Sequence, residues 1–225
     1  MAVVDQTAHT TQQAEATTER LLAVEQAIEA FAEGGFVVVF DAESRENEGD
    51  LMVAAEHTDE QALQQLLDHT SGVVCVALPD ERAAELRLPQ MVTDNTGLHE
   101  TAFTVSVDLK EGGTTGISVQ ERARTIRALA DPTTAPDDLC RPGHVFPVRA
   151  QPGGVLQRDG HTEAAVDLSL LAGLSGVTTM CEVVKPDWSM ARYEDLSRLA
   201  ASRLMPLISV RDLAAYRLAR AASRL

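Results

Sequence analysis

The ten residues Asp41-Ala42-Glu43-Ser44-Arg45-Glu46-Asn47-Glu48-Gly49-Asp50 carry five carboxylates and one arginine. Such crowding is self-repulsive unless cations or hydrogen-bond donors offset it. An oxygen-rich site of this kind suits magnesium or manganese. Taken alone, the stretch reads equally well as a solvated acidic loop.

A second set of groups lies far away in the chain. His161 follows a glycine-bracketed turn, Gly153 to Gly160, and precedes a helical pattern. Arg158 stands three residues before it and Thr162 next to it. A helix N-terminus offers unpaired N–H groups and a positive dipole end, so with Arg158 it makes a phosphate cradle. His161 can ligate a metal beside that cradle, although a lone histidine is more often satisfied by local hydrogen bonds. His161-x-Glu163 also opens like a zinc deaminase signature, but the Pro-Cys-x-x-Cys half is missing, which excludes that reading. The rigid stretch Arg141-Pro142-Gly143-His144-Val145-Phe146-Pro147 places His144 at a strand entry, where it can act as acid or base near neutral pH. Glu182 ends an apolar run after Cys181, so partial burial would raise its pKa and let it exchange protons. The plainer readings are a turn histidine and a surface strand-end glutamate. Cys75 sits in an apolar strand, where a cysteine is most often a small core residue.

These groups need elements to hold them, and the pattern supplies strands and helices in mixture. Leu21, Leu22, Val24, Ala27, Ile28 and Phe31 fall on one side of a helix from about Thr18 to Glu33, stopped by Gly34-Gly35. Phe36–Phe40 and Leu51–Ala55 are strands flanking the acidic turn. Helices are expected over Asp59–Asp68 and from Pro79-Asp80-Glu81 to before Pro89, with a buried strand at Val73–Leu78 between them. Val92–Thr101 is polar and loop-like. Phe103–Asp108 alternates as a half-buried strand should. Gly112-Gly113-Thr114-Thr115-Gly116 is a flexible turn, and Ser118-x-x-Glu121 is a capping box opening a helix that stops by Asp131-Pro132. Pro132–Pro142 holds three prolines and is expected to be loop, with a strand at Val145–Ala150. Thr162 is expected to cap a helix running to about Leu171. A strand at Val177–Val184 and helices near Tyr193–Arg203 and Val210–Arg220 complete the chain. The whole reads as a disordered tail over Met1–Thr18 and one compact α+β domain over residues 19–225, a mixed β-sheet flanked by helices.

Composition bounds the function. The chain has 225 residues, 44% of them hydrophobic, enough for a substantial core. A formal net charge of -15 repels phosphate backbones, which argues against nucleic-acid binding. Three scattered cysteines do not suggest a disulfide framework, and a reducing cytoplasm fits them. No run approaches the roughly 18 apolar residues of a membrane span, and the polar N-terminus has no apolar signal core.

Taken together, the ordered pieces resemble one family, 3,4-dihydroxy-2-butanone 4-phosphate synthase of riboflavin biosynthesis. The resemblance rests on Arg45-Glu46-Asn47-Glu48-Gly49-Asp50, His69-Thr70-Ser71-Gly72, Phe103-Thr104-Val105-Ser106-Val107, Thr114-Thr115-Gly116, Arg141-Pro142-Gly143-His144-Val145-Phe146-Pro147, Gly160-His161-Thr162-Glu163, Cys181-Glu182 and Met190-Ala191-Arg192. It implies conversion of D-ribulose 5-phosphate to formate and 3,4-dihydroxy-2-butanone 4-phosphate. It implies magnesium or manganese, two ions per active site, held by Glu46 and His161. It implies substrate contacts from Arg45, Glu46, Asp50, Arg158, His161, Thr162 and Glu182, with Arg158 and Thr162 at the phosphate. Glu182, His144 and Asp50 are the implied catalytic groups, and Cys75 and Thr115 line the pocket. A cytoplasmic homodimer with active sites at the subunit interface, and no nucleic-acid or membrane partner, completes the expectation. The chain departs from the family at Ala42 and Ser44, where acids are usual, around Gly97-Leu98-His99-Glu100, and at Gly176-Val177-Thr178-Thr179. A paralogous isomerase, aldolase or dehydratase acting on another sugar phosphate is the alternative, and a non-catalytic module is disfavoured by the retained Glu46, His144, His161 and Glu182.

Overall fold

Val37–Phe40 (β1) is apolar on both faces because both faces are covered. Side chains alternate across a strand, so Val38 enters one core layer while Val37 and Val39 enter another. The computed structural model describes the backbone of residues 3–223 and the side chains of residues 18–223. The other strands are Gly49–Ala54 (β2), Cys75–Leu78 (β3), Val107–Leu109 (β4), Leu139–Arg149 (β5), Thr178–Glu182 (β6) and Leu207–Ser209 (β7). Among the described residues they form one sheet in the order β4-β5-β3-β6-β2-β1-β7. The pairing is mixed: β3 runs parallel to β5 and β1 parallel to β7, whereas β1–β2, β2–β6, β3–β6 and β4–β5 are antiparallel. The α+β expectation of a mixed sheet flanked by helices holds.

Two helical layers sandwich the sheet. Glu60–Leu67 (α2), Asp80–Glu85 (α3), Val119–Ala130 (α4) and Tyr193–Arg203 (α6) bury Leu63, Leu66, Ala83, Ile126 and Leu196 on one face. Val3–Ala32 (α1), His161–Leu171 (α5) and Val210–Ala222 (α7) bury Val24, Phe31, Leu168 and Leu213 on the other. The caps follow the local sequence. The Asp59 side chain accepts from Ala62 N at 2.8 Å, and Ser118 Oγ accepts from Glu121 N at 3.1 Å while donating to the Glu121 carboxylate at 2.9 Å.

Several expectations need correction. α1 starts at Val3 rather than near Thr18, and of the stretch Met1–Thr18 the residues Met1 and Ala2 lie outside the described residues. Leu22, expected on the buried side of that helix, is exposed. Phe103–Asp108 is not one strand. Thr104 N donates to Pro147 O and Val105 N to Pro89 O, so its backbone divides between two partners and only Val107 and Asp108 join β4. Leu139–Pro142 is strand rather than loop, because β4 pairs Asp108 and Leu109 with Cys140 and Leu139. Thr162 does not cap α5. Gly160 occupies that position and Thr162 lies inside the first turn.

The β4–β5 register breaks between Val107 and Asp108. Val107 faces Val145 while Asp108 faces Cys140, so residues 141–144 bulge out of the ladder. Gly143 sits against β4 there: a Cβ on it would lie 2.0 Å from the Val107 carbonyl carbon. The bulge carries His144, whose N–H donates to Asp108 Oδ1 at 2.9 Å and whose Nδ1 lies 2.7 Å from Asp108 Oδ2.

Candidate active site

The acidic turn folds around its first carboxylate. Asp41, buried at the end of β1, accepts from Glu46 N and Glu48 N, both at 2.9 Å, and from Arg45 Nη1 at 3.0 Å. Three donors on one carboxylate offset the repulsion that the sequence imposes. The turn then aims Glu46 inward, where its Oε2 meets Arg45 Nη1 at 3.1 Å and His161 Nδ1 at 3.3 Å. Ala42 and Ser44, where the family usually has acids, are exposed and stand outside this network.

β2 leaves the turn with Asp50, which the sheet register sets beside Glu182 of β6. Glu182 Oε2 accepts from Ser71 Oγ at 2.7 Å, and Ser71 N donates to Glu182 O at 2.9 Å. Asp50 carries a strongly raised carboxyl: burial, reinforced by Glu182 and the nearby glutamates, pushes it up to about 7 against the pull of His161. Cys75 of β3 forms a buried part of the wall, its thiol pushed well up by burial.

α5 presents His161 and Thr162 from its first turn, both buried. Burial alone would lower the His161 pKa. Asp50, the Glu46 hydrogen bond and Asp41 outweigh burial and hold it at about 9, while the same hydrogen bond brings Glu46 down to about 2. The other ring nitrogen, His161 Nε2, is buried without a hydrogen-bond partner among the described residues. Ligand atoms of Asp41, Glu46 and His161 all lie within 4.8 Å of one another. One imidazole with carboxylates suits magnesium or manganese, and an unpartnered buried nitrogen is the kind of atom a metal satisfies. The residues therefore fit a divalent ion, and binding it requires His161 to lose its proton.

Glu46, Asp50, Cys75, His161, Thr162 and Glu182 line one cleft of about 480 Å³, together with Arg45, Arg158 and His99, a size that suits a small ligand. His99 Nε2 approaches Glu46 Oε1 at 3.9 Å, and its carbonyl accepts from Arg158 Nη2 at 2.9 Å. His99 is a cleft residue that the sequence marked only as a departure from the family. Ser71, inside a matched motif, carried no assigned role, and Asp41 was one acid among five. A carboxylate at a strand end just before a turn was the available signal for Asp41, because it can accept from N–H groups that the turn leaves free.

Two expected residues do not reach the cleft. His144 is on the β5 bulge, paired with Asp108, and Thr115 is exposed in the turn beside it. A Cβ on Gly116 would lie 2.7 Å from His144 Nδ1, so this turn and His144 form their own cluster. Within one chain the expected site is thus divided in two.

The family model for 3,4-dihydroxy-2-butanone 4-phosphate synthase matches residues 25–216. The chain is 48% identical over 194 residues to the protein of that name from Shewanella pealeana, covering 86% of this chain and 92% of that one. It is 49% identical over 197 residues to the riboflavin biosynthesis protein RibBA of Chlamydia trachomatis, covering 88% of this chain but only 46% of that longer protein. Among solved structures, a 3,4-dihydroxy-2-butanone 4-phosphate synthase in complex with two magnesium ions superposes with a TM-score of 0.84 at 41% identity, covering 86% of this chain and 95% of that one. At that identity and coverage the likeness extends beyond the fold, and the chain belongs to the 3,4-dihydroxy-2-butanone 4-phosphate synthase family.

Proposed function

We propose that the protein converts D-ribulose 5-phosphate to formate and 3,4-dihydroxy-2-butanone 4-phosphate, as a cytoplasmic enzyme of riboflavin biosynthesis. The observation that carries the reading is the convergence of the Glu46–His161 pair with Asp50, Glu182 and Arg158 in one cleft. The overall reaction is balanced without a redox co-reactant: dehydration removes one water, and expulsion of formate takes one up. What it requires is a phosphate anchor, groups that exchange protons near neutrality, and stabilisation of an enediolate.

Arg158 and the N-terminal end of α5 supply the anchor, with Thr162 beside them. Asp50, with its carboxyl near 7, and Glu182, seated by Ser71, are the proton-exchanging pair. Arg45 holds the acidic turn through Asp41 and keeps a cation against the substrate side of Glu46. Cys75 contributes a neutral thiol wall. Glu46 and His161 would hold magnesium or manganese, two ions per site, which supply charge stabilisation for enediolate oxygens. Because His144 and Thr115 cluster away from the cleft, the second copy of a homodimer delivers them to it, His144 as a further acid–base group.

The test is formation of formate and 3,4-dihydroxy-2-butanone 4-phosphate from ribulose 5-phosphate. EDTA should abolish turnover and magnesium restore it; full activity in metal-free buffer would remove the metal from the reading. Glu182→Gln should cost roughly 10²–10⁴ in kcat. A variant within about tenfold of wild type would exclude its acid–base role. Turnover of other ketose phosphates without formate release would point instead to a related isomerase, aldolase or dehydratase.

A further inference from the structure

Glu163 is 1% exposed and follows Thr162 in the first turn of α5. A buried carboxylate is costly unless its oxygens are occupied, and both are. Oε2 meets Arg158 Nη1 at 2.6 Å, and Oε1 accepts from Gln151 N at 2.9 Å. In a capping box the acid at this position reaches back to its own N-cap N–H; here it reaches past the glycine turn to Gln151 instead. Gly160 makes room for the pair. A Cβ there would lie 2.2 Å from Arg158 Nη1 and 2.5 Å from Glu163 Oε2. The ion pair therefore packs across the backbone of the N-cap residue. With His99 O taking Nη2 at 2.9 Å, the guanidinium is held at two of its donors and the rest remain for a ligand.

We propose that Glu163 is a positioning residue: by gripping Arg158 across Gly160 and tying it to Gln151, it presents the guanidinium to the substrate phosphate. The proposal rests on the reading of Arg158 as the phosphate contact. An arginine held in place beforehand loses less conformational freedom on binding. A phosphate contact retained from ground to transition state changes KM more than kcat.

The experiment is steady-state kinetics of the magnesium-loaded enzyme with ribulose 5-phosphate, and inhibition by inorganic phosphate as an independent probe. Glu163→Gln should raise KM and the phosphate Ki together by about tenfold while kcat stays within about threefold. In the Arg158→Ala background the same substitution should add almost nothing, since the two residues act as one unit. Gly160→Ala, whose backbone is extended (φ -103°, ψ 160°) and open to alanine, displaces the pair without removing a charge and should reproduce the KM effect if Glu163→Gln does not fold. Arg158→Ala raising KM with Glu163→Gln and Gly160→Ala unchanged would overturn the positioning role alone. Additive effects in the double variant would overturn it too, as the mark of a merely structural residue. Arg158→Ala with unchanged KM and phosphate Ki would overturn the phosphate reading and this proposal with it.

Discussion

Asp50 joins stability to chemistry in one side chain. Its carboxyl sits near 7 against an ordinary 3.8. A carboxyl raised on folding contributes stability that is full below its unfolded pKa and lost as pH climbs through the folded one. His161, raised from 6.5 to about 9, loses its contribution in the same direction, over a higher window. The chelated protein should therefore become less stable from about pH 4 to pH 9, and Asp50→Asn should remove the lower part of that slope and flatten the upper part, since Asp50 is the foremost charge raising His161. At pH 8 in EDTA the variant should be more stable by on the order of 2 kcal/mol, read from urea midpoints, while turnover is lost. A gain over wild type no larger at pH 8 than at pH 5 would show that burial does not strain this carboxyl. The neighbouring pair Arg158 and His161 should separate kinetically: Arg158→Ala should raise KM about 10- to 100-fold, whereas His161→Ala should mainly lower kcat. Equal defects over a magnesium series would defeat that division. Residue types and spacing made the acidic turn, Arg158, His161 and Glu182 legible as chemistry before any fold was known. They did not single out Asp50 as a raised carboxyl, however, because burial was judged along one strand. The register that sets Asp50 beside Glu182 joins residues more than a hundred positions apart.

At the scale of elements, local signals were readable wherever the physics is local. The Ser118 cap was, and so were the long apolar runs that became β1, β2 and β6. Errors fall where a segment's partners are remote. Phe103–Asp108 alternates like a strand, yet its backbone is shared between Pro89 and Pro147. Three prolines argued for loop up to Pro142, but a bulge lets β5 absorb Pro142 and still pair with β4. β7 is three residues long and shows no pattern of its own, since only β1 makes it a strand. The bulge offers an element-level prediction. Gly143→Ala would force a Cβ onto the Val107 backbone, which cannot give way as a side-chain tip can. It should destabilise the fold by roughly 2–4 kcal/mol and impair His144 with it. A urea midpoint within about 0.5 kcal/mol of wild type would show that β4 and β5 do not meet there.

The molecule as a whole is predicted to work as two copies. If His144 serves the partner's cleft, then mixing inactive His144→Ala with inactive Glu182→Gln and refolding them together should restore about a quarter of the wild-type activity, since half the random pairs are mixed and each has one intact site. No recovery, with mixed dimers shown to form, would return both residues to a single chain. A different consequence follows from the parallel pairing of Val38 with Leu207 and Phe40 with Ser209. During synthesis the apolar edge of β1 leaves the ribosome early, yet its neighbour is made only about 170 residues later. Until then the nascent chain carries an unpaired apolar strand edge, the kind of template that recruits other chains. A chain cut after Leu204 would keep that edge permanently and lose the α7 residues Val210 and Leu213 from the layer that α1 shares. Such a product should collect in the pellet rather than fold, so quality control during translation has to shelter β1 until the last strand arrives.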